Sequence, residues 1–335
     1  MLVAREYRSV TQARQALGTA LDRASTPSLF DRIDWFESLH AHCFPATNVR
    51  IFQALEGQNQ AWLFLLSPKS GRLSAIANWY SFDWTPIFLG PTDWTVRRRL
   101  IEVIAQHLLK DSAQIGLYPV TETSGLLLDA FRRAGWFSVR RPMGGRHILH
   151  LNGRTFEDYW AQRPGRLRTL ITRKSRASRF TLSIADRLTD ALWRDYVAVH
   201  NRSWKQPEAN LSFLHALAAR ESAAGTLRLG FARLEDQPVA TQLWTVENGT
   251  ALIHKLAHDQ AFDGASPGSL LSHAMFAHAI DRDHVATIDY GTGDNGYKTD
   301  WMEQRETLYR LDCFNPRRAS IWLPAARTAI SALVG

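Results

Sequence analysis

Ile288-Asp289-Tyr290-Gly291-Thr292-Gly293-Asp294-Asn295-Gly296-Tyr297-Lys298-Thr299-Asp300-Trp301 is the stretch on which the fold is read. A short apolar strand, 286–290, runs straight into a glycine-rich loop carrying acids, a tyrosine, a lysine and a tryptophan. Glycine bends where other residues cannot and lets a ligand approach the backbone. Polar groups on such a loop at the mouth of a strand are where α/β proteins bind ligands. The plain alternative is turn chemistry, since Gly-Asp-Asn-Gly also closes loops.

Working back from this loop, residues 268–281 have the pattern of a helix. Before it come three strands, 227–234, 239–246 and 251–257, the last two joined by Asn248-Gly249, a strong hairpin signal. The first half of the chain repeats the order. Strands at 48–56, 60–66 and 72–79 precede a loop at 80–93, an amphipathic helix at 95–110 and a strand at 113–118. A helix at 124–134 and paired strands at 136–141 and 146–151, turning at Met143-Gly144-Gly145, follow. Residues 48–118 and 227–290 thus share an architecture with little matching sequence, which predicts two α+β domains in tandem. Between them lies a basic helical segment, 155–179, with Arg163, Arg166, Arg168, Arg173, Lys174, Arg176 and Arg179, divided at Pro164. Residues 180–184 suggest a strand, and 190–202 and 211–223 helices. The lead-in 1–21 reads as irregular or helical, 306–314 as a final strand, and 317–334 as a helical tail broken by Pro324.

The bulk composition excludes several classes. An apolar fraction of 45% and a charged fraction of 21% over 335 residues suit a globular chain with ample core. No run of eighteen apolar residues suggests a membrane span, and 1–21 lacks the apolar centre of a secretory signal. Cys43 and Cys313 have neither disulfide-framework nor metal-site spacing. The expected location is cytoplasmic. A net charge of +8, mostly arginine, favours anionic partners such as phosphorylated cofactors, nucleic acid or a lipid surface.

Three antiparallel strands, a helix entered from a loop, then a strand resembles the core order of the GNAT acyltransferase fold. Phe156-Glu157-Asp158-Tyr159-Trp160, followed by Arg163-Pro164-Gly165-Arg166-Leu167-Arg168 and Arg173-Lys174, resembles the connector of tandem-GNAT proteins of the cellulose-biosynthesis-protein-like, Fem-related group. Ser203-Trp204-Lys205, Ser266-Pro267-Gly268, Asp289-Tyr290-Gly291, Gly293-Asp294 and Tyr297-Lys298 look like further landmarks. The resemblance covers roughly residues 30–314 and rests on the order of individually short motifs. It implies GNAT-like domains at 1–152 and 186–335 around a basic connector at 153–185. Each would be a mixed, mostly antiparallel sheet flanked by helices, with the active site in the second. It implies acyl transfer from acyl-CoA to an amine or hydroxyl of a small or cell-envelope precursor. Fem-type relatives instead take an aminoacyl group from tRNA. A departure from the family pattern is plain: Gln260-Ala261-Phe262-Asp263-Gly264-Ala265-Ser266-Pro267-Gly268 lacks the spacing of the usual Gln/Arg-x-x-Gly-x-Gly/Ala loop.

Site expectations follow from the residues and this resemblance together. The start of the 268–281 helix offers unpaired N–H groups and a positive dipole end, so Ser266, Gly268 and Ser269 are assigned to the cofactor, with Leu256 and Ala257 of the preceding strand. Ser266 also suits a helix cap, with Pro267 at the first position. Acyl transfer requires a deprotonated acceptor and a protonated leaving group. Asp294 is expected as base or ammonium anchor, Lys298 at an anionic acceptor or developing charge, and Tyr297 or Tyr290 as acid. Asp294 is otherwise a loop-closing turn residue and Lys298 a solvated charge. Trp204, Lys205 and Asp289 are assigned to substrate; Trp204 alternatively closes the edge of the core. His200, His254 and His258 are further candidate bases, more simply read as structural. No metal site is expected, nor a Gly-x-Ser-x-Gly elbow or P-loop. The basic segment allows a rival class of partner, RNA or anionic lipid, though it carries no aromatic-rich nucleic-acid module and no DNA partner is expected. A catalytically silent binder of an anionic ligand is the remaining alternative.

Overall fold

A computed structural model describes residues 2–69, 71–121 and 123–334, with the side chains of 333 and 334 excepted. Contacts divide the chain into two compact units: residues 1–145 with 307–335, and residues 146–306.

The first unit begins with β1 (Leu2–Tyr7), α1 (Val10–Leu17) and α2 (Ile33–Cys43). Next come β2 (Asn48–Glu56), β3 (Asn59–Lys69), β4 (Arg72–Ala75) and β5 (Ile87–Leu89). Then follow α3 (Trp94–Leu108), β6 (Gln114–Val120), α4 (Ser124–Arg133) and β7 (Phe137–His150), which starts here. Asp93 caps α3 by accepting the Val96 amide at 2.8 Å. β1 to β4 pair antiparallel in succession, and β4 lies parallel to β6, as a crossover through α3 requires.

In the second unit α5 (Phe156–Ala161), α6 (Gly165–Arg176), β8 (Phe180–Ala185), α7 (Asp190–Asn201) and α8 (Leu211–Ala223) lead to β9 (Leu227–Leu234). β10 (Gln237–Glu247), β11 (Thr250–His258), α9 (Pro267–Asp281), β12 (Thr287–Thr292) and α10 (Lys298–Trp301) follow. The pairings repeat those of the first unit: β8 to β11 antiparallel in turn, and β11 parallel to β12. Asn248 and Gly249 both take positive φ in the two-residue turn between β10 and β11, as that sequence predicts. The core gathers on α9, where Leu271, Met275 and Phe276 meet Trp244, Ile253 and Ile288 of the sheet.

β13 (Gln304–Phe314) and α11 (Trp322–Val334) end the chain. In each unit a strand distant in sequence completes the pairing. Residues 146–150 of β7 pair antiparallel with β12, and residues 309–314 of β13 pair antiparallel with β6.

Several sequence expectations change. The compact units do not follow boundaries at 152 and 185. The basic segment packs into the second unit, with Leu167 and Ile171 of α6 buried in its core, Arg163 buried against Glu303, and Arg166, Arg168, Arg173 and Arg176 outward. Its start is fixed by a capping box between Thr155 and Asp158. The hairpin expected at Met143-Gly144-Gly145 is one continuous strand, β7, whose two ends serve different units. Residues 2–7 form an edge strand, since pairing with β2 overrides their weak local pattern. Pro324 does not break the C-terminal helix, because it sits in the first turn, where no intrahelical N–H bond is required of it. Among the described residues no helix is long and apolar enough to cross a membrane.

Candidate functional site

Strands β11 and β12 pair only from Thr250/Thr287 to Leu252/Asp289 and then part. A cavity of about 350 Å³ opens where they separate. The edge of β11 supplies Leu256, Ala257 and His258, the first turns of α9 supply Ser266, Gly268, Ser269 and Ser272, and Tyr290 stands at the end of β12. Tyr297 and Trp301 close it from the loop after β12, and Trp204 and Lys205 from the loop after α7.

The helix end is open for a reason visible in its backbone. Pro267 occupies the first helical position, as expected, but Ser266 is left-handed (φ 55°, ψ 46°) and its hydroxyl makes no capping bond. The expected side-chain cap is therefore not formed; the Ser269 and Leu270 amides bond the Ser266 carbonyl at 3.1 and 3.2 Å and Pro267 has no N–H, so the Gly268 amide and the positive helix end are what this turn offers an anion. A Cβ at Gly268 would lie 3.2 Å from Nδ1 of His258, so a larger residue there makes the imidazole give way by a few tenths of an ångström. His258 in turn meets Asp263 at 2.8 Å through Nε2.

Charge in the cavity is set by burial. Lys205 donates from Nζ to the Leu256 carbonyl at 2.5 Å. Desolvation, then the neighbouring Lys255 and Lys298, push its ammonium down to about 8. Burial pushes the Tyr290 phenol well above its ordinary range, opposed by its hydrogen bond with Ser272. Tyr297 is raised for the same reason, against a hydrogen bond with Asn295. Both phenols are protonated at neutral pH. The rings of Tyr290 and Tyr297 meet edge-on at 5.9 Å.

Nine of the twelve expected site residues line this cavity: Trp204, Lys205, Leu256, Ala257, Ser266, Gly268, Ser269, Tyr290 and Tyr297. Trp204 is 60% exposed at the rim, so it does not close the core edge. The other three do not line it. Asp289 is buried with Oδ2 held by Arg146 at 2.6 Å and Oδ1 accepting the Gly291 amide at 2.8 Å. It clamps strand to loop, and removing one partner of such a buried pair costs about 3–5 kcal/mol. Asp294 is bound through both oxygens by Arg305, at 2.7 and 2.8 Å. That hydrogen bonding holds its carboxyl below the usual range, which makes it a poor base. Lys298, expected as a solvated charge or a substrate contact, is buried and donates to the carbonyls of Tyr290 at 3.0 Å and Thr292 at 2.6 Å. Burial pushes it down to about 8. Gly293, at φ 103°, lets the loop fold over this ammonium.

His200 is buried and His254 half-buried; both are pushed down to about 4, chiefly by desolvation, and neither lines the cavity. Ser272 escaped the sequence reading although it follows Gly268 by four residues, one helical turn, which was the available signal. Arg146, His147 and Arg305 had no local signal. Arg146 and Asp289 are 143 residues apart.

Residues 151–299 match the family of the acetyltransferase (GNAT) domain, less than half of the chain. The chain is similar to the structure of FemX, with a TM-score of 0.61 and 11% identity over 96% of this chain and 100% of that one. It is similar to the C-terminal domain of a putative lysylphosphatidylglycerol synthetase from Agrobacterium fabrum, with a TM-score of 0.59 and 13% identity over 95% and 96%. A tandem GNAT protein from the clavulanic acid biosynthesis pathway gives 0.51 and 12% over 92% and 98%. At these identities what is shared is the fold. Comparison with curated proteins found no match.

Proposed function

We propose, from the premise that this chain is an acyltransferase of tandem-GNAT, Fem-related fold with a GNAT acetyltransferase domain over residues 151–299, that its donor is acyl-CoA and its acceptor an amine or hydroxyl of a small or cell-envelope precursor. The observation that carries this reading is that the open end of α9 enters the same cavity as Lys205 and Tyr290.

Acyl-CoA brings a thioester on a long arm and a pyrophosphate. The left-handed Ser266 and the side-chain-free Gly268 let a phosphate approach the Gly268 amide at the positive end of α9, and Lys205 adds a cation to the same cavity. The usual Gly-x-Gly/Ala loop is replaced by a 3₁₀ turn, Gln260–Ala265, tied back by Lys174 to the Gly264 carbonyl, so anion binding falls to α9 and Lys205. The acceptor amine or hydroxyl attacks the thioester carbon; the new C–N or C–O bond forms, the C–S bond breaks, Tyr290 gives its proton to the departing thiolate, and the proton the acceptor loses returns to the Tyr290 phenolate directly or through water. Burial that raises the phenol raises the proton affinity of the thiolate beside it as well. Tyr297 covers the rim, Trp204 flanks the entrance, Asp289 and Lys298 hold the loop in register, and Asp294 anchors it to Arg305.

A second reading has its own observation. α6 carries five cations and no acid, and Arg168, Arg173 and Arg176 line a hollow of about 610 Å³. Such a face suits a polyphosphate donor, an aminoacyl-tRNA.

Calorimetric titration with acetyl-CoA and longer acyl-CoAs at two salt concentrations separates the two. Saturable binding that Gly268→Val weakens supports acyl-CoA. Absence of acyl-CoA binding, with salt-sensitive tRNA binding lost on Arg173→Gln and Arg176→Gln, would replace it with aminoacyl-tRNA.

A further inference from the structure

The C-terminal helix α11 is held to the first unit by one face and bare on the other. Ile321, just before it, and Ala325 pack with Phe314 in a small core cluster. Opposite them, Trp322 is 53% exposed and Leu323 and Ile330 are each 62% exposed. Trp322, Ala326 and Ile330 follow one another at four-residue spacing, with Leu323 alongside, so the exposed apolar groups form one stripe. A stripe this apolar, facing water on an anchored helix, calls for a cover.

Charge identifies the cover. Arg317 and Arg318 stand exposed just ahead of the helix and Arg327 is exposed on its flank. No Asp or Glu occurs in the sequence after Asp312. Arg318 donates to the Lys110 carbonyl, which brings a fourth cation to the start of the helix. The neighbouring Asp111 is bound by Arg50. A tryptophan-bearing apolar stripe edged by arginine is the pattern of a helix lying in the surface of an anionic bilayer, with aromatic and aliphatic groups at the headgroup boundary and cations on lipid phosphate. A second copy of the chain fits less well. It would set arginine against arginine, and a stable pair needs about 800 Å² from each partner, contributed by roughly 20–30 residues, where α11 has 13.

We propose that α11 docks this protein on an anionic lipid surface through Trp322, Leu323 and Ile330, with Arg317, Arg318 and Arg327 on the headgroups. The claim is independent of the donor and acceptor assigned above, because it is read by lipid binding without turnover.

The test is flotation of the full chain with vesicles of phosphatidylcholine alone and of phosphatidylcholine mixed equally with phosphatidylglycerol, at low and high salt. The protein should float with the mixed vesicles only, less so at high salt. Trp322→Ser, Leu323→Ser and Ile330→Ser combined should lower partitioning at least about tenfold. Each of Arg317→Gln, Arg318→Gln and Arg327→Gln should lower it roughly fivefold. The pair Arg173→Gln and Arg176→Gln, on α6, should leave it unchanged. The substituted side chains are exposed, and unchanged circular dichroism confirms folding; if the apolar variant unfolds, the arginine variants decide. Failure to float with the mixed vesicles overturns the proposal, as does flotation that α11 substitutions leave intact. A concentration-dependent dimer abolished by the same apolar variant would assign the face to a second copy instead.

Discussion

Lys205 and Tyr290 face one cavity, and the same cause, loss of water, moves both toward their neutral forms. The lysine is shifted to about 8, close enough to neutrality for its charge to change in an ordinary assay. If its ammonium contacts a donor phosphate, affinity for acyl-CoA should be greatest below pH 8 and fall as pH rises from 7 to 9. Lys205→Met should bind more weakly and show no such slope, read by titration calorimetry. The same shift acts on stability. The folded state holds fewer protons than the unfolded chain between about 8 and the ordinary lysine value. The penalty of burying this ammonium is therefore constant below about 8 and relieved as pH climbs through that window. Tyr290 stays protonated throughout the neutral range. Tyr290→Phe should lower kcat about 100-fold with little change in KM, measured by thiol release, because proton donation contributes to the transition state and not to binding. An unchanged kcat would pass the role of acid to Tyr297.

At the scale of elements, α9 and the parted strands make the site. The helix start is exposed because Pro267 and the left-handed Ser266 turn the chain sharply without a side-chain cap. Gly268→Val should cut acyl-CoA affinity by roughly tenfold or more, since the added carbons displace His258 and cover the Gly268 amide that would otherwise hold an anion. Circular dichroism and the unfolding midpoint should stay close to wild type; unaltered affinity would remove α9 from the donor site. Much of this element was legible from sequence. Ser266-Pro267-Gly268 marked a helix start, and Asn248-Gly249 marked the hairpin feeding β11, because both motifs act through local φ preferences. Asp294 shows the complementary case. Its loop position suggested an available carboxylate, whereas its partner Arg305 lies on another strand and took both oxygens.

At the scale of the molecule, each unit depends on a strand from far along the chain. β13 supplies the antiparallel partner of β6, with Leu311, Cys313 and Phe314 buried. A chain ending at residue 306 should therefore leave β6 with an open edge and a stripped core in the first unit. It should aggregate or be cut rapidly within residues 1–145 by limited proteolysis. A monomer with wild-type proteolytic resistance would show that β13 is dispensable.

The sequence by itself determined the repeated order of three strands, a helix and a strand, the turn at Asn248-Gly249 and most of the residues around the cavity. These are properties of short windows, carried by side-chain periodicity and by the backbone preferences of Gly, Pro and Asn. Tertiary structure alone decided where the units divide, which distant strands pair, and which charged residues are spent on structure. β1 became a strand only against β2, β7 ran through an expected turn to reach β12, and Asp289 met an arginine 143 residues away. The reason is physical: a strand edge or a buried ion pair gains its free energy from a partner distant in sequence, and nothing in the local chain records which partner that will be.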